Sequence, residues 1–193
     1  MHHHDHFDPE QLAQREIRRR EIFPPDQTLK HFLARPDLIM ADVGCGLGYY
    51  AIEAAKMLTT GKVFAIDRQE DMLHWTKTRG DQSQLTNLIT VEAVAEDIPL
   101  DSSTLDVVLM ANVLHDLTDP HGAMNEVHRL LKPTGILFLV EWDKVPTDFG
   151  PPLEVRFSPS ELITFVERYG FDRVQKIEAP SPWFQVMAHK PIP

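Results

Sequence analysis

"IMADVGCGLGYY", Ile39–Tyr50, decides how the rest of the chain is read. An apolar run, Leu38–Val43, ends on three alternating glycines, Gly44, Gly46 and Gly48, in a chain that holds nine in all. Near-continuous apolar residues suit a strand that is covered on both faces. Glycines directly after such a strand let backbone approach a ligand closely. The stretch therefore predicts a buried strand, a ligand-holding turn, and a helix over Tyr49–Leu58.

The same alternation repeats downstream. "VFAID" (Val63–Asp67) reads as the next buried strand, and a helix covers Glu70 to Arg79. "NLITVEA" (Asn87–Ala93) is a strand, "EDIPLDSST" a loop, and "LDVVLMAN" (Leu105–Asn112) another strand. Asp119 and Pro120 open a helix as N-cap and first helical residue, and "ILFLVEW" (Ile136–Trp142) is a long apolar strand. "SPSE" (Ser158–Glu161) is a capping box that starts a helix running to about Tyr169. "GFDRVQKIEA" and "WFQVMAHK" close the chain as an antiparallel hairpin. Upstream, Asp8–Glu21 is a charged helix, "FPPD" breaks it, and Asp26 caps a short helix through Leu33.

Strands alternating with helices give an α/β fold, a doubly wound, mostly parallel sheet of seven strands. Residues 1–25 form an N-terminal tail with a possible lid helix, and residues 26–193 a single domain. Ligands of such sheets bind at the carboxyl ends of the strands, where the strand order reverses. Asp42, Asp67, residues 94–97, Asn112 and Glu141 all fall at those ends.

Composition narrows the function. The net charge of -10 speaks against a nucleic-acid phosphate backbone as partner. Arg18, Arg19 and Arg20 are interleaved with Glu16 and Glu21 and read as a solvated helix face. Cys45 is the single cysteine, so no internal disulfide and no cysteine-based zinc cluster forms. His2, His3, His4, Asp5 and His6 read as a flexible end or a tag remnant, and no metal is expected. No apolar run approaches the ~20 residues of a membrane helix. The polar start of the chain does not read as a secretory signal, so a cytoplasmic location is expected.

Two nucleotide-containing ligands compete for the turn. A dinucleotide fingerprint is G-x-G-x-x-G, with its third glycine set for helix packing. Here the spacing is G-x-G-x-G, and Tyr49 stands where that third glycine belongs.

"DVGCGLG" resembles the first motif, D-x-G-x-G-x-G, of class I S-adenosylmethionine-dependent methyltransferases. "VFAID" resembles the second, "AEDIPLDSSTLDVVLMANVLHDL" the third and fourth, and "EVHRLLKPTGILFLVEW" the last. Together they resemble the subgroup that contains the ubiquinone and menaquinone C-methyltransferases, from about Leu38 to the C-terminus.

The resemblance implies S-adenosylmethionine as cofactor, held by Asp42, Gly44, Cys45, Gly46, Gly48, Asp67, Arg68, Met72, Ala95, Glu96, Asp97 and Asn112. Asp67 takes the ribose hydroxyls, a role suited to a carboxylate that accepts two hydrogen bonds. N–H groups around Gly44 and Gly46 suit the cofactor's carboxylate. Arg68 and Met72 lie against the adenine, and Asp42 orients the loop. Relatives often carry an aspartate where this chain has Val94, so Glu96, Asp97 or the Ala95 N–H must serve the adenine instead.

The acceptor is less legible. Methyl transfer needs alignment more than covalent help, although a hydroxyl acceptor usually needs a base. His115, with Asp116 beside it, is the candidate base, and Glu141 and Trp142 end the fifth strand at the same mouth. Phe7, Ile17 and Phe23 on the N-terminal helix can close over the site, and Glu154 and Arg156 can form an opposite wall. DNA amino-methyltransferase and cytosine C5 signatures are absent, and little chain lies beyond the core. The expectation is a metal-independent S-adenosylmethionine-dependent methyltransferase acting on a small molecule. Its rivals are a cofactor-binding but inactive module working through a partner, and a nicotinamide-dependent oxidoreductase.

Overall fold

Strand β1 (Ile39–Val43) runs parallel to β2 (Lys62–Asp67) on one side and to β4 (Leu105–Ala111) on the other, and both reach the same end of the sheet. The structure is a computed structural model and describes residues 9–192. The His2–His6 cluster and Phe7 lie outside the described residues. With β3 (Leu88–Glu92), β5 (Leu131–Trp142), β6 (Asp172–Ile177) and β7 (Trp183–His189), the sheet order is β3-β2-β1-β4-β5-β7-β6. The first five strands are parallel; β7 is antiparallel to both β5 and β6. The expected seven-stranded, mostly parallel sheet with a C-terminal antiparallel hairpin is what the chain forms. The strand order reverses between β1 and β4, which opens a crevice where these two strands end.

Helices cover both faces. They are α1 (Pro9–Ile22), α2 (Pro25–Leu29), α3 (Ala51–Met57), α4 (Glu70–Gln82), α5 (Pro120–Leu130) and α6 (Pro159–Glu167). One core layer packs Leu114, Met124, Val127 and Leu162 against the sheet, and the other packs Leu29, Phe32, Ala54, Leu58 and Phe138. Each large side chain fully removed from water there contributes roughly 1.5–3 kcal/mol. Among the described residues no helix is long and apolar enough to cross a membrane.

Local signals hold where a side chain does the capping. Asp119 accepts from Gly122 N–H at 2.8 Å, and the Ser158–Glu161 box is formed in both directions. Asp26 is a correction. Pro24 occupies the N-cap of α2, Asp26 lies in the first turn and pairs with Lys30 at 2.6 Å, and the helix ends at Leu29. Helix α3 starts at Ala51 rather than Tyr49, because Gly48 N–H turns back to Cys45 O at 2.9 Å. Strand β5 begins at Leu131, five residues earlier than the apolar run suggests. There Leu131 already pairs with Leu105, ahead of an irregularity in the ladder.

Candidate active site

The glycine loop is tied down by the strand beside it. Gly44 and Cys45 N–H groups both donate to Ile66 O, at 2.8 and 2.9 Å. Gly46 N–H donates to Asp67 Oδ2 at 2.9 Å, and Gln69 N–H donates to Asp67 Oδ1 at 3.0 Å. From α4, Thr76 donates to Gly46 O and Arg79 to Leu47 O, each at 2.8 Å. The loop's shape is therefore fixed by the chain itself.

The three glycines serve different ends. All have positive φ, +72° at Gly44, +52° at Gly46 and +79° at Gly48. A Cβ at Gly44 would fall 2.3 Å from Val113, and one at Gly48 would lie 3.0 Å from Ile52 and Thr76. A Cβ at Gly46 would meet nothing within 4 Å. Gly44 and Gly48 are packing glycines, and Gly46 alone faces open space. Cys45 is buried, and burial, followed by the charges of Asp42 and Asp67, pushes its thiol well above the ordinary range. It is not a nucleophile.

Two carboxylates flank the loop. Asp42 is buried at the end of β1, and its Oδ2 has no hydrogen-bond partner. Burial raises its pKa to about 7, against the Ala51 N–H, which favours the charged form. Asp67 is buried at the end of β2, with both oxygens already accepting from backbone. Each carboxylate oxygen keeps a further lone pair for a ligand.

Residues near the end of β3 are held by α5. Glu126 accepts from Ile98 N–H at 2.9 Å and from Arg129 Nη2 at 2.6 Å. Arg129 in turn donates to Ile98 O and Leu100 O. This clamp fixes the segment that carries Ala95, Glu96 and Asp97. Ala95 is buried, Glu96 half-buried and Asp97 exposed; Val94 is exposed too, and its carbonyl accepts from Asp97 N–H. Arg68 is exposed, while Met72 is buried almost completely.

At the ends of β4 and β5 lies a buried pair. Asn112 adopts φ +57°, which turns the chain into a short 3-10 segment, Leu114–Asp116. Glu141 Oε1 accepts from Leu114 N–H at 3.0 Å, and Oε2 lies 2.6 Å from His115 Nδ1. Both side chains are almost fully enclosed, 4% exposed for His115 and 1% for Glu141. His115 Nε2 is 3.4 Å from Asp116 Oδ2. Burial works against charge on His115, but the hydrogen bond and charge of Glu141, then the charge of Asp116, outweigh it and raise its pKa. Glu141, expected at the mouth of the site, is instead the residue that orients His115.

The N-terminal helix reaches the site through Arg19. Ile17 is 68% exposed and does not face it, whereas Phe23 is buried. Arg19 Nη2 donates to Tyr50 Oη at 3.1 Å. The Asn112 amide, with its oxygen turned inward, accepts from both Arg19 Nη atoms at 3.1 and 3.2 Å. Glu16 pairs with Arg79 at 2.8 Å, and Tyr49 Oη donates to Phe23 O at 2.7 Å. Trp142 packs 4.9 Å from Trp183 and 5.6 Å from Phe149, ring centre to ring centre. Arg156, expected as a wall residue, is buried and donates to the carbonyls of Pro151, Val145 and Phe149, so it staples its own loop; Glu154 is exposed.

Sequence reading missed Arg19 and Trp183. Arg19 was hidden in a run of alternating charges. Its signal is the spacing to Phe23, four residues on and so one turn away, just past the end of α1, where the Phe23 N–H donates to Arg19 O.

Known proteins resemble this chain in sequence and fold. Residues 41–139 match the family described as "Methyltransferase domain". A solved S-adenosylmethionine-dependent methyltransferase from Aquifex aeolicus is 33% identical, with a TM-score of 0.87 over 95% of this chain and 99% of that one. A ubiquinone/menaquinone biosynthesis C-methyltransferase of Blochmanniella pennsylvanica is 33% identical over 59% of this chain and 43% of its own length. A demethylmenaquinone methyltransferase of Symbiobacterium thermophilum is also 33% identical, over 59% of this chain and 45% of its own. The chain thus spans less than half the length of these two curated relatives. The matched segment runs from within β1 through the glycine loop and the ends of β2 and β4 to residue 139 within β5, about half of the chain, and the chain belongs to the methyltransferase-domain family of class I S-adenosylmethionine-dependent enzymes.

Proposed function

We propose that the chain transfers a methyl group from S-adenosylmethionine to a small molecule that must lose a proton as it is methylated, with His115 as the base. The observation that carries this reading is the enclosed His115–Glu141 pair, 2.6 Å apart at the ends of β4 and β5. A carboxylate on Nδ1 holds the imidazole in one tautomer and favours its protonated form, so that Nε2, with the Asp116 carboxylate 3.4 Å away to stabilise the charge, is the nitrogen that receives a proton. The strength of the base suits an acidic hydroxyl or an enolisable carbon. The quinone-ring enzymes among the relatives point the same way.

The chain's residues fit the cofactor. Gly46 leaves room for close approach, and Asp42 Oδ2 is a buried, unpartnered acceptor. Asp67 is the residue for the ribose, Arg68 and Met72 flank the adenine, and the Ala95 N–H is the backbone donor for its ring. Glu96, Asp97 and Asn112 border the same site, with Gly44, Cys45 and Gly48 shaping its loop. When bound, S-adenosylmethionine supplies an electrophilic methyl on a sulfonium. The protein's part is to align the acceptor, hold its proton at His115 Nε2 and keep water out. Trp142, Trp183 and Phe149 give the mouth an aromatic lining suited to a ring-bearing acceptor. The acidic chain favours such a molecule over nucleic acid, and a cytoplasmic setting accords with the sequence.

The test is incubation with methyl-labelled cofactor and a metabolite extract, read by mass spectrometry for products that gain one methyl. Release of S-adenosylhomocysteine that is lost in His115→Ala supports the reading. Saturable cofactor binding with no turnover in any extract sinks it in favour of an inactive binding module.

A further inference from the structure

Arg19 is a half-buried cation set among aromatic rings. Its guanidinium carbon lies 4.7 Å from the ring centre of Tyr49, 5.3 Å from Tyr50, 5.7 Å from Trp183 and 6.0 Å from Phe23. Its Nη groups reach Tyr50 and Asn112, both neutral, and its Nε is buried with no hydrogen-bond partner. Ion pairs that join its helix neighbours to the body, such as Glu16–Arg79, leave Arg19 out; the Asp42 carboxyl feels its charge from beyond ion-pair distance, and among the described residues no carboxylate lies within 4.0 Å of it. Taking a guanidinium out of water is costly unless an anion faces it, and cation–π contacts recover only part of that cost.

The glycine loop sharpens the point. Its N–H groups are the expected receptors for the cofactor's carboxylate, yet those of Gly44 and Cys45 are bound to Ile66 O and that of Gly46 to Asp67. The carboxylate needs another donor close to the loop. Arg19 is packed on Tyr49 and Tyr50, the two residues that lead from the loop into α3, and Asn112 joins it to the end of β4. Several buried side-chain atoms in this region have no partner, the donors Arg19 Nε and Trp183 Nε1 and the acceptors Asp42 Oδ2 and Gln69 Oε1, and of these only Arg19 carries a cation and only Asp42 a carboxylate. That polarity matches an amino-acid zwitterion. An arginine fork also suits a carboxylate better than any single N–H does.

We infer that Arg19 is the receptor for the carboxylate of the cofactor's amino-acid end, so that α1 is part of the cofactor site and not only a cover over the acceptor. This rests on the cofactor reading given above.

Calorimetric titration tests it with S-adenosylmethionine and decarboxylated S-adenosylmethionine, which keeps the sulfonium, the ammonium and the nucleoside. The wild-type protein should bind the carboxylated ligand about ten- to one-hundred-fold more tightly, the range expected of hydrogen bonds to a charged group. Arg19→Gln should lose that advantage and bind the decarboxylated ligand as the wild type does. Arg19→Lys should keep part of it. Asp67→Ala should weaken both ligands alike. If Arg19→Gln does not fold, the wild-type preference and Arg19→Lys decide the matter. Equal weakening of both ligands in Arg19→Gln, or no ligand preference in the wild type, overturns the inference alone. A wild-type protein that binds neither ligand overturns the cofactor reading with it.

Discussion

Glu141 holds His115 from two directions at once: Oε2 lies 2.6 Å from the imidazole Nδ1, and Oε1 takes the N–H of the preceding residue, Leu114. The ring is fixed in place and in tautomer, and its pKa is raised above 6.5 once Glu141 and Asp116 overcome the effect of burial. As a base it must be neutral, so kcat/KM should rise with pH through an ionisation above 6.5. Glu141→Gln should move that limb to lower pH and lower the plateau. A profile that does not shift would remove His115 from the chemistry. For stability the sign is opposite. The pair's contribution is complete below pH 6.5 and is lost as pH rises through the folded pKa.

Asp42 makes a second pH prediction. Its folded pKa of about 7 stands above the ordinary 3.8, so its protonated form favours folding. The ligand-free protein should lose stability as pH rises from about 4 to 7, by an amount on the order of a few kcal/mol at 1.36 kcal/mol per unit. Asp42→Asn should remove this slope and be the more stable protein at pH 8, measured by urea unfolding, while binding S-adenosylmethionine less tightly. An unchanged slope would refute the assignment.

Asp67 accepts from two backbone N–H groups and is also the residue proposed for the ribose. Asp67→Ala should weaken S-adenosylhomocysteine by roughly 1.5–3 kcal/mol, as expected for hydrogen bonds to a charged group. It should also lower the melting temperature, because the N–H groups of Gly46 and Gln69 lose their acceptors. Calorimetry and thermal unfolding read the two effects separately. Full affinity in the variant would exclude the ribose role.

The loop glycines should part company under alanine substitution. In Gly44→Ala the new methyl meets Val113 at 2.3 Å and adds left-handed strain, for a loss of about 2–5 kcal/mol in stability. Gly46→Ala meets no protein atom within 4 Å and should cost only about 1–2 kcal/mol of backbone strain. Its defect should appear in cofactor affinity, where the methyl occupies the path of approach. Equal affinity in Gly46→Ala and wild type would show that the ligand does not pass there.

The sheet was legible because buried parallel strands announce themselves as apolar runs, and "LIMADV", "VFAID" and "ILFLVEW" each carry a single charged residue, near the C-terminal end. Side-chain caps were legible for the same reason of locality, since Ser158 and Glu161 lie within one turn. Asp26 misled because Pro24 already holds the extended geometry of an N-cap, leaving Asp26 to pair with Lys30. The cofactor loop is contiguous and its glycines could be read directly. Glu141 and His115 stand 26 residues apart, and Arg19 and Asn112 farther still, so only the register of β4 against β5 and the return of α1 bring them together. Composition carries no record of such pairings.

The order in which these pieces are synthesised differs from the order in which they sit. Strand β7 leaves the ribosome after every other strand of this sheet, yet it lies inside the sheet between β5 and β6 and delivers Trp183 to the ring of side chains around Arg19. Gln185 on the same strand donates to Thr28 in α2 at 3.0 Å, across 157 residues of chain. A nascent chain that has emerged only through Trp142 already carries the glycine loop, Asp67 and the His115–Glu141 pair, but it has nothing to close the aromatic wall. The aromatic wall is thus closed only once β7 has followed β5 out of the ribosome and folded back beside it, after the glycine loop and the His115–Glu141 pair have long been made.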